Sequence, residues 1–306
     1  MKDKDLISIG DLSEEDIEKI FMISEDVKKN PGKYRDALKD KILAMIFEKP
    51  SLRTRFTFDT GIFQMGGHGI YLGPDEIQLK RRESIYDVAK NLERWADLIM
   101  IRTFDHQNVV DLAKFADVPV INGLSDLLHP CQALTDYFTI KEKMKTFDDI
   151  KLAYIGDGNN VCHSLLLGAV KIGVNMSIAT PKGYEPKKEI VQISSKETKK
   201  KNLKIEITND PMNAIENADI VYTDTWISMG QEKEKETRQR IFRPYQVNSG
   251  LFKRAKKSAY FMHCLPAHRG EEVTDEVIDS KNSIVFDQAE NRLHVQKAIM
   301  YLLLRG

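Results

Sequence analysis

Short apolar runs of strand length alternate with helical segments along almost the whole chain, and this alternation limits the fold more than any other feature. Strand-like stretches lie at Lys41–Phe47, His68–Leu72, Asp97–Ile101 and Val118–Ile121, with helical periodicity between them at Thr54–Met65, Ser84–Arg94 and Val109–Phe115. Strands that alternate with helices at this spacing pair in parallel, because a parallel return needs a crossover and a helix supplies it. A long amphipathic helix is expected over Pro130–Lys145. The plan then repeats, with strands at Lys151–Ile155, Val174–Ala179, Leu203–Ile207, Ile220–Tyr222 and Ser258–Met262, and a last helix over Gln288–Leu304. The expected fold is α/β: two doubly wound parallel-sheet domains joined by interdomain helices, with the active site in the cleft. Residues 1–140 are assigned to the first domain and 150–287 to the second, with a C-terminal helix, 288–306, packing back on the first. The polar stretch Gln231–Arg240 reads as a mobile loop, and the charge run Lys196–Lys201 as a solvated surface.

Composition narrows the partners. Lys+Arg and Asp+Glu both number 46, so the formal charge is zero and neither a nucleic acid nor a membrane is implied. Any anion site has to be local. The three cysteines, Cys131, Cys162 and Cys264, include no CxxC pair and point to a reducing compartment. The N-terminal stretch has neither an apolar signal core nor transit-peptide character, and the expected location is the cytoplasm.

FEKPSLRTRFTFD, residues 47–59, follows the first strand directly. Free backbone N–H groups at a helix start favour an anion. Ser51 and Thr54 add hydroxyl donors, and Arg53 adds a planar, permanently charged fork that suits phosphate oxygens. Arg55 cannot share the direction of Arg53 on a helix and is expected in a supporting or inter-subunit pair. The alternative for the stretch alone is a capped helix with surface arginines.

Other motifs bear on that choice. HPCQALTD (129–136), GDGNN (156–160), DTWISMG (224–230), HCLPAHRG (263–270) and QAENRLHVQKAIM (288–300) follow in order. Together with SLRTR they resemble the aspartate/ornithine carbamoyltransferase family, and DTWISMG and HCLP resemble its ornithine branch. The resemblance implies transfer of the carbamoyl group of carbamoyl phosphate to the δ-amine of L-ornithine, giving L-citrulline and phosphate in arginine metabolism. It implies that Ser51, Leu52, Arg53 and Thr54 hold the phosphate, that Arg102 bridges phosphate and carbonyl oxygen, and that His129 donates to that oxygen. Gln132 and the Leu265 carbonyl would bind the carbamoyl NH2, Arg292 would reach the carbonyl or phosphate, and Cys264 would line the amine site. Asn160, Asp224, Ser228 and Met229 would bind the amino-acid end of ornithine. The catalytic set is Arg102, His129, Cys264 and Arg292. Gln78 would come from a neighbouring subunit of a homotrimer; its alternative is an ordinary surface loop. These roles fit the chemistry, since a developing oxyanion needs preorganised donors. No metal or other cofactor is implied. Neighbouring side chains at a strand end are expected to diverge, which argues against a His263–Cys264 metal site.

The family's ornithine enzymes usually carry Thr where this chain has Leu52. Leu occurs there in relatives acting on acylated ornithines, so a carbamoyltransferase for N-acylated ornithine is the alternative. GDGNN also admits a nicotinamide dehydrogenase, but Val161 stands where GxGxxG needs its third glycine. A non-catalytic anion-binding protein is the remaining reading.

Overall fold

The computed structural model describes residues 1, 4–77, 79–80, 83–228 and 230–306, without the side chains of Lys199, Lys200 and Glu232. The chain divides into two compact units, Met1–Phe138 with Glu290–Gly306, and Thr139–Ala289. The chain leaves the first unit within α6 (Pro130–Met144) and returns to it within α13 (Val285–Arg305).

The first unit contains α1 (Glu14–Lys29), β1 (Ile42–Phe47), α2 (Leu52–Gln64), β2 (His68–Leu72), the single turn α3 (Pro74–Ile77), α4 (Ile85–Leu92), β3 (Leu98–Arg102), α5 (His106–Phe115) and β4 (Val120–Leu124). Its sheet is parallel, in the order β2-β1-β3-β4. The inner strands ILAMIF and LIMIR are apolar without alternation because helices cover both faces. Ile46, Ile99, Ile101, Val109, Leu112 and Val120 form their core.

The second unit contains β5 (Lys151–Ile155), α7 (Asn160–Ile172), β6 (Asn175–Ala179), α8 (Lys188–Lys201), β7 (Ile205–Thr208), α9 (Pro211–Ile215), β8 (Ile220–Thr223), α10 (Lys235–Phe242), α11 (Ser249–Phe252), β9 (Tyr260–His263) and α12 (Asp275–Ile278). This sheet is also parallel, in the order β7-β6-β5-β8-β9. Ile155, Val221, Val247, Phe261 and Val277 belong to its core.

Strand order decides where ligands can sit. In the first sheet the chain steps from β1 out to β2, then returns to β3 on the other side, so winding reverses between β1 and β3. In the second it reverses between β5 and β8. Loops diverge at such points and leave a crevice beyond the carboxyl ends of the strands. Register places Phe47 beside Arg102, Ile155 beside Thr223, and Thr223 beside His263. The motifs SLRTR, GDGNN, DTWISMG and HCLP all start within a few residues of those ends.

The charge run Lys196–Lys201 forms the end of α8. One stretch differs from the expectation. Gln231–Arg240 is largely ordered as a 3-10 turn, Glu232–Glu234, and the start of α10. Glu and Lys are good helix formers, and Glu234 pairs with Arg238 one turn on. Apolar periodicity is weak there because only Arg238 and Phe242 of α10 are buried.

The glycines of GDGNN serve the backbone. Gly156 has φ +144, a conformation L residues avoid. A Cβ on Gly158 would lie 2.4 Å from the nitrogen of Pro186 and 2.5 Å from the carbonyl carbon of Glu185. In a dinucleotide fingerprint the second glycine opens space for pyrophosphate; here the chain's own Tyr184–Pro186 backbone fills it. Gly158→Ala is therefore expected to destabilise the fold by about 1–3 kcal/mol through overpacking, read as a lower denaturant midpoint at constant slope. Gly32→Ala, with nothing within 4 Å of the new carbon, is the control. Equal midpoints for the two variants would remove the close-approach argument.

Candidate active site

The carboxyl edge of the first sheet gathers cations around a neutral donor. Ser51 caps α2, its Oγ accepting from the Thr54 N–H at 3.2 Å. Leu52 opens the helix with its side chain 76% exposed, so it offers the site its backbone N–H and nothing else. Arg55 stacks its guanidinium 3.8 Å from the ring centre of Tyr71. Arg53 turns the other way, close enough to His129 to act on its charge state.

Arg102 is the last residue of β3 and is buried. The pairing of β3 with β4 skips Gly123 beside it, a bulge that re-aims the strand end. The Glu48 N–H donates to the Arg102 carbonyl at 2.8 Å, and Asn108 and Thr103 both donate to the Glu48 carboxylate. Arg292, carried on α13, donates to Gln132 Oε1 at 2.6 Å and to Thr54 Oγ1 at 3.2 Å. Gln132 Nε2 donates to Asp136 at 2.8 Å, which turns the amide oxygen of Gln132 toward Arg292. Burial, with Arg292, Arg102 and Arg53 nearby, holds the His129 imidazole well below its ordinary pKa. It is neutral at physiological pH and can donate one N–H without adding a fourth cation. Lys49, passed over in the sequence, is buried 4.3 Å from the ring centre of Phe104, and burial and Arg102 lower its pKa.

The second sheet carries a different chemistry. Asp224 follows β8 and Cys264 follows β9. The Cys264 thiol lies 2.9 Å from Asp224 Oδ1, which also accepts the Thr225 N–H at 2.8 Å. Asn159 Nδ2 donates to Asp224 Oδ2 at 2.7 Å, while its Oδ1 caps α7. The sequence reading had assigned a role to Asn160 and missed Asn159; an Asn immediately before a helix was the available signal. Asn160 opens α7, half-buried. The Ser228 N–H donates to Gln231 Oε1 at 3.0 Å, and the Gln231 N–H returns a bond to the Ser228 carbonyl at 3.0 Å. Leu265 adopts φ +56, and its N–H donates to His263 Nδ1 at 2.8 Å. Burial pushes Cys131 up to about 12 and Cys162 well above its usual range.

His263 and Cys264 do not diverge as expected. Their ligand atoms lie with that of Asp224 within 4.8 Å of one another, because Cys264 is already past the end of β9. Both ring nitrogens of His263 are nevertheless engaged, Nδ1 by Leu265 and Nε2 by buried Glu272 at 3.2 Å. The ring is an internal brace and is poorly placed to serve as a metal ligand. Gln78 and Met229 lie outside the described residues.

The sequence profile for the carbamoyl-P binding domain of aspartate/ornithine carbamoyltransferases matches residues 4–142, and that for the Asp/Orn binding domain matches 148–303. An ornithine carbamoyltransferase of Thermococcus kodakarensis is 52% identical over 99% of this chain and 97% of its own. One from Pyrococcus horikoshii is 51% identical over 100% and 97%. The solved structure of ornithine carbamoyltransferase from Pyrococcus furiosus superposes with a TM-score of 0.97 at 50% identity, covering 100% of this chain and 98% of that one.

The neutral state of His129 has a measurable consequence. Its ordinary pKa is 6.5, so the unfolded chain takes up a proton near that pH which the folded site refuses. Its contribution to stability is complete above about pH 6.5 and falls on acidification, by at most about 1.4 kcal/mol per pH unit. His129→Gln should flatten the acid limb of unfolding free energy by one proton. An unchanged slope between about pH 6.5 and 5 would show that His129 is charged when folded.

Proposed function

The chain belongs to the aspartate/ornithine carbamoyltransferase family, and on that footing we propose that it joins carbamoyl phosphate to L-ornithine, releasing L-citrulline and phosphate. The observation that carries the reading is the convergence of Arg53, Arg102 and Arg292 on neutral His129 at the winding reversal of the first sheet. A doubly charged phosphate attached to a carbonyl suits that arrangement.

The proposed steps follow from these groups. The N–H groups and hydroxyls of Ser51, Leu52 and Thr54, with Arg53 and Arg102, take the phosphate. His129, Arg102 and Arg292 donate to the carbonyl oxygen, while Gln132 and the Leu265 carbonyl accept from the carbamoyl NH2. Gln132 Oε1 already receives Arg292 and has a second lone pair to offer. Asp224 binds the α-ammonium of ornithine, with Asn160, Ser228 and Met229 completing the grip. A free alkyl amine has a pKa of about 10.4 and attacks only after losing a proton; Cys264, hydrogen-bonded to Asp224, lines the place where that proton leaves. The neutral amine adds to the carbonyl carbon and an oxyanion forms against the donors. The C–O bond to phosphate breaks, phosphate departs with the electron pair, and the proton shed by the attacking nitrogen ends on the phosphate. The carbon keeps its oxidation state throughout, so the chemistry calls for no redox cofactor.

Residues 1–140 with the C-terminal helix form the carbamoyl phosphate domain in this reading, and 150–287 the ornithine domain. The assembly is a homotrimer in which Gln78 crosses to a neighbouring site. Leu52, Phe56 and Phe63 are 76, 67 and 75% exposed on one side of α2, and Ile70 is 44% exposed on edge strand β2. An apolar face of this kind beside the phosphate motif supports self-association there. Among the described residues no helix is long and apolar enough to cross a membrane; the proposed location is the cytoplasm.

The test is citrulline formation from carbamoyl phosphate with L-ornithine, alongside turnover of N-acetylornithine, N-succinylornithine, putrescine and aspartate. Strong preference for ornithine is expected. Preference for an acylated amine would overturn the Asp224 assignment, and turnover of none would leave an anion-binding protein. Because Leu52→Thr keeps the backbone N–H that meets the phosphate, it should shift KM for carbamoyl phosphate by no more than about twofold.

A further inference from the structure

The segment that follows Asp224 is tied to the GDGNN turn by a buried cation outside every motif recognised in the sequence. Arg238, on α10, is 6% exposed. Its Nη1 donates to Asp157 Oδ2 at 3.1 Å and to the Trp226 carbonyl at 3.0 Å, and its Nε donates to Glu234 at 2.9 Å. Its guanidinium carbon lies 4.9 Å from the ring centre of Tyr184. One planar fork thus touches three segments of the second unit.

The anchor is rigid. Asp157 sits between Gly156 and Gly158, whose backbone positions are fixed by φ and by the Tyr184–Pro186 chain. The Tyr154 hydroxyl donates to the Asp157 carbonyl at 2.9 Å. The load is the Thr225–Ser228 segment, whose Trp226 stacks on Phe242 of α10 with ring centres 6.0 Å apart. Asn160 lies three residues after the anchor, and Ser228 two residues after the tethered carbonyl.

We propose that Arg238 is a positioning residue for the amino-acid substrate, holding the segment that carries Ser228 at a fixed distance from the turn that carries Asn160. The proposal rests on the ornithine reading. Arg238 bonds Asp157, Trp226 and Glu234 within the second unit, so its effect is expected on ornithine binding.

The clip also has a pH limit. Burial pushes Asp157 up to about 6, against the pull of Arg238. Asp224 and Glu234 face it with like charge, and Tyr154 and Cys162 lie close enough for Asp157 to raise their own pKa values. Asp157 is ionised and the ion pair complete above its pKa; below it the carboxyl takes a proton and the charge on Arg238 loses its partner.

Arg238→Met should raise KM for ornithine by about 10- to 100-fold, the loss of a hydrogen-bonded charge. Binding of carbamoyl phosphate, followed by calorimetry, should stay within about twofold. Arg238→Lys should recover part of the ornithine KM, keeping the charge but losing the fork. In the wild type, KM for ornithine, expressed per neutral amine to remove the substrate's own titration, should rise as pH falls through about 6. Asp157→Asn, which keeps the shape and an acceptor oxygen, should show a raised KM without that acid limb. The proposal is overturned if Arg238→Met weakens both substrates equally or changes kcat alone, or if the acid limb persists in Asp157→Asn. Should Arg238→Met fail to fold, the Asp157→Asn profile decides. Wild-type preference for a different amine would refute the ornithine reading instead, and the clip would then be read in the KM for that amine.

Discussion

Both half-sites depend on hydrogen-bonded register between two parallel strands where the winding of a sheet reverses. In the first unit that register sets Arg102 beside Phe47, at the root of SLRTR. In the second it sets Thr223 between Ile155 and His263, so that GDGNN, Asp224 and Cys264 leave the sheet from three neighbouring strands. Side chains far apart in sequence converge because their strands stop together. Slipping a strand by one residue would turn each terminal side chain to the opposite face. The buried Thr223 hydroxyl donates to the Ile155 carbonyl at 2.6 Å and helps hold that alignment at the carboxyl end of the strands.

The two edges solve opposite electrostatic problems. Three guanidinium groups around one imidazole repel one another, and desolvation removes the charge from the only member that can give it up, His129. Arginine holds its charge under such crowding more firmly than lysine; burial and Arg102 lower the pKa of Lys49. An anionic ligand relieves the remaining repulsion. The second edge presents a carboxylate, Asp224, whose two oxygens are already oriented by Asn159, Thr225 and Cys264. In the proposed function the first edge receives the dianion and the second the ammonium group.

The alternation of strands and helices was legible because apolar runs such as ILAMIF can only be buried on both faces. The phosphate-side roles rest on the resemblance of SLRTR and HPCQ to family motifs, because hydroxyls and arginines after a buried strand fit a capped helix equally well. What escaped was polar structure with a tertiary cause. The Lys235–Phe242 helix buries only Arg238 and Phe242, so no apolar stripe announces it, and Arg238 looks like one more surface charge until Asp157 is placed opposite. Asn159 was overshadowed by its neighbour because capping and carboxylate orientation leave no spacing signature. His263 invited a metal reading that its two occupied nitrogens argue against.

Arg292 stands 160 positions after Gln132 and 238 after Thr54, yet bonds both within the same unit. The whole of Thr139–Ala289 is inserted between them in the chain. Synthesis runs from the N-terminus, and domains generally fold as they emerge. The inserted unit is therefore available to fold before the unit that flanks it has received its last strut. A nascent chain can display SLRTR, Arg102 and His129 while still lacking the arginine that locks Gln132 and Thr54 into one network. The interruption of one unit by the other thus imposes an order of assembly in time, in which the anion site is finished last.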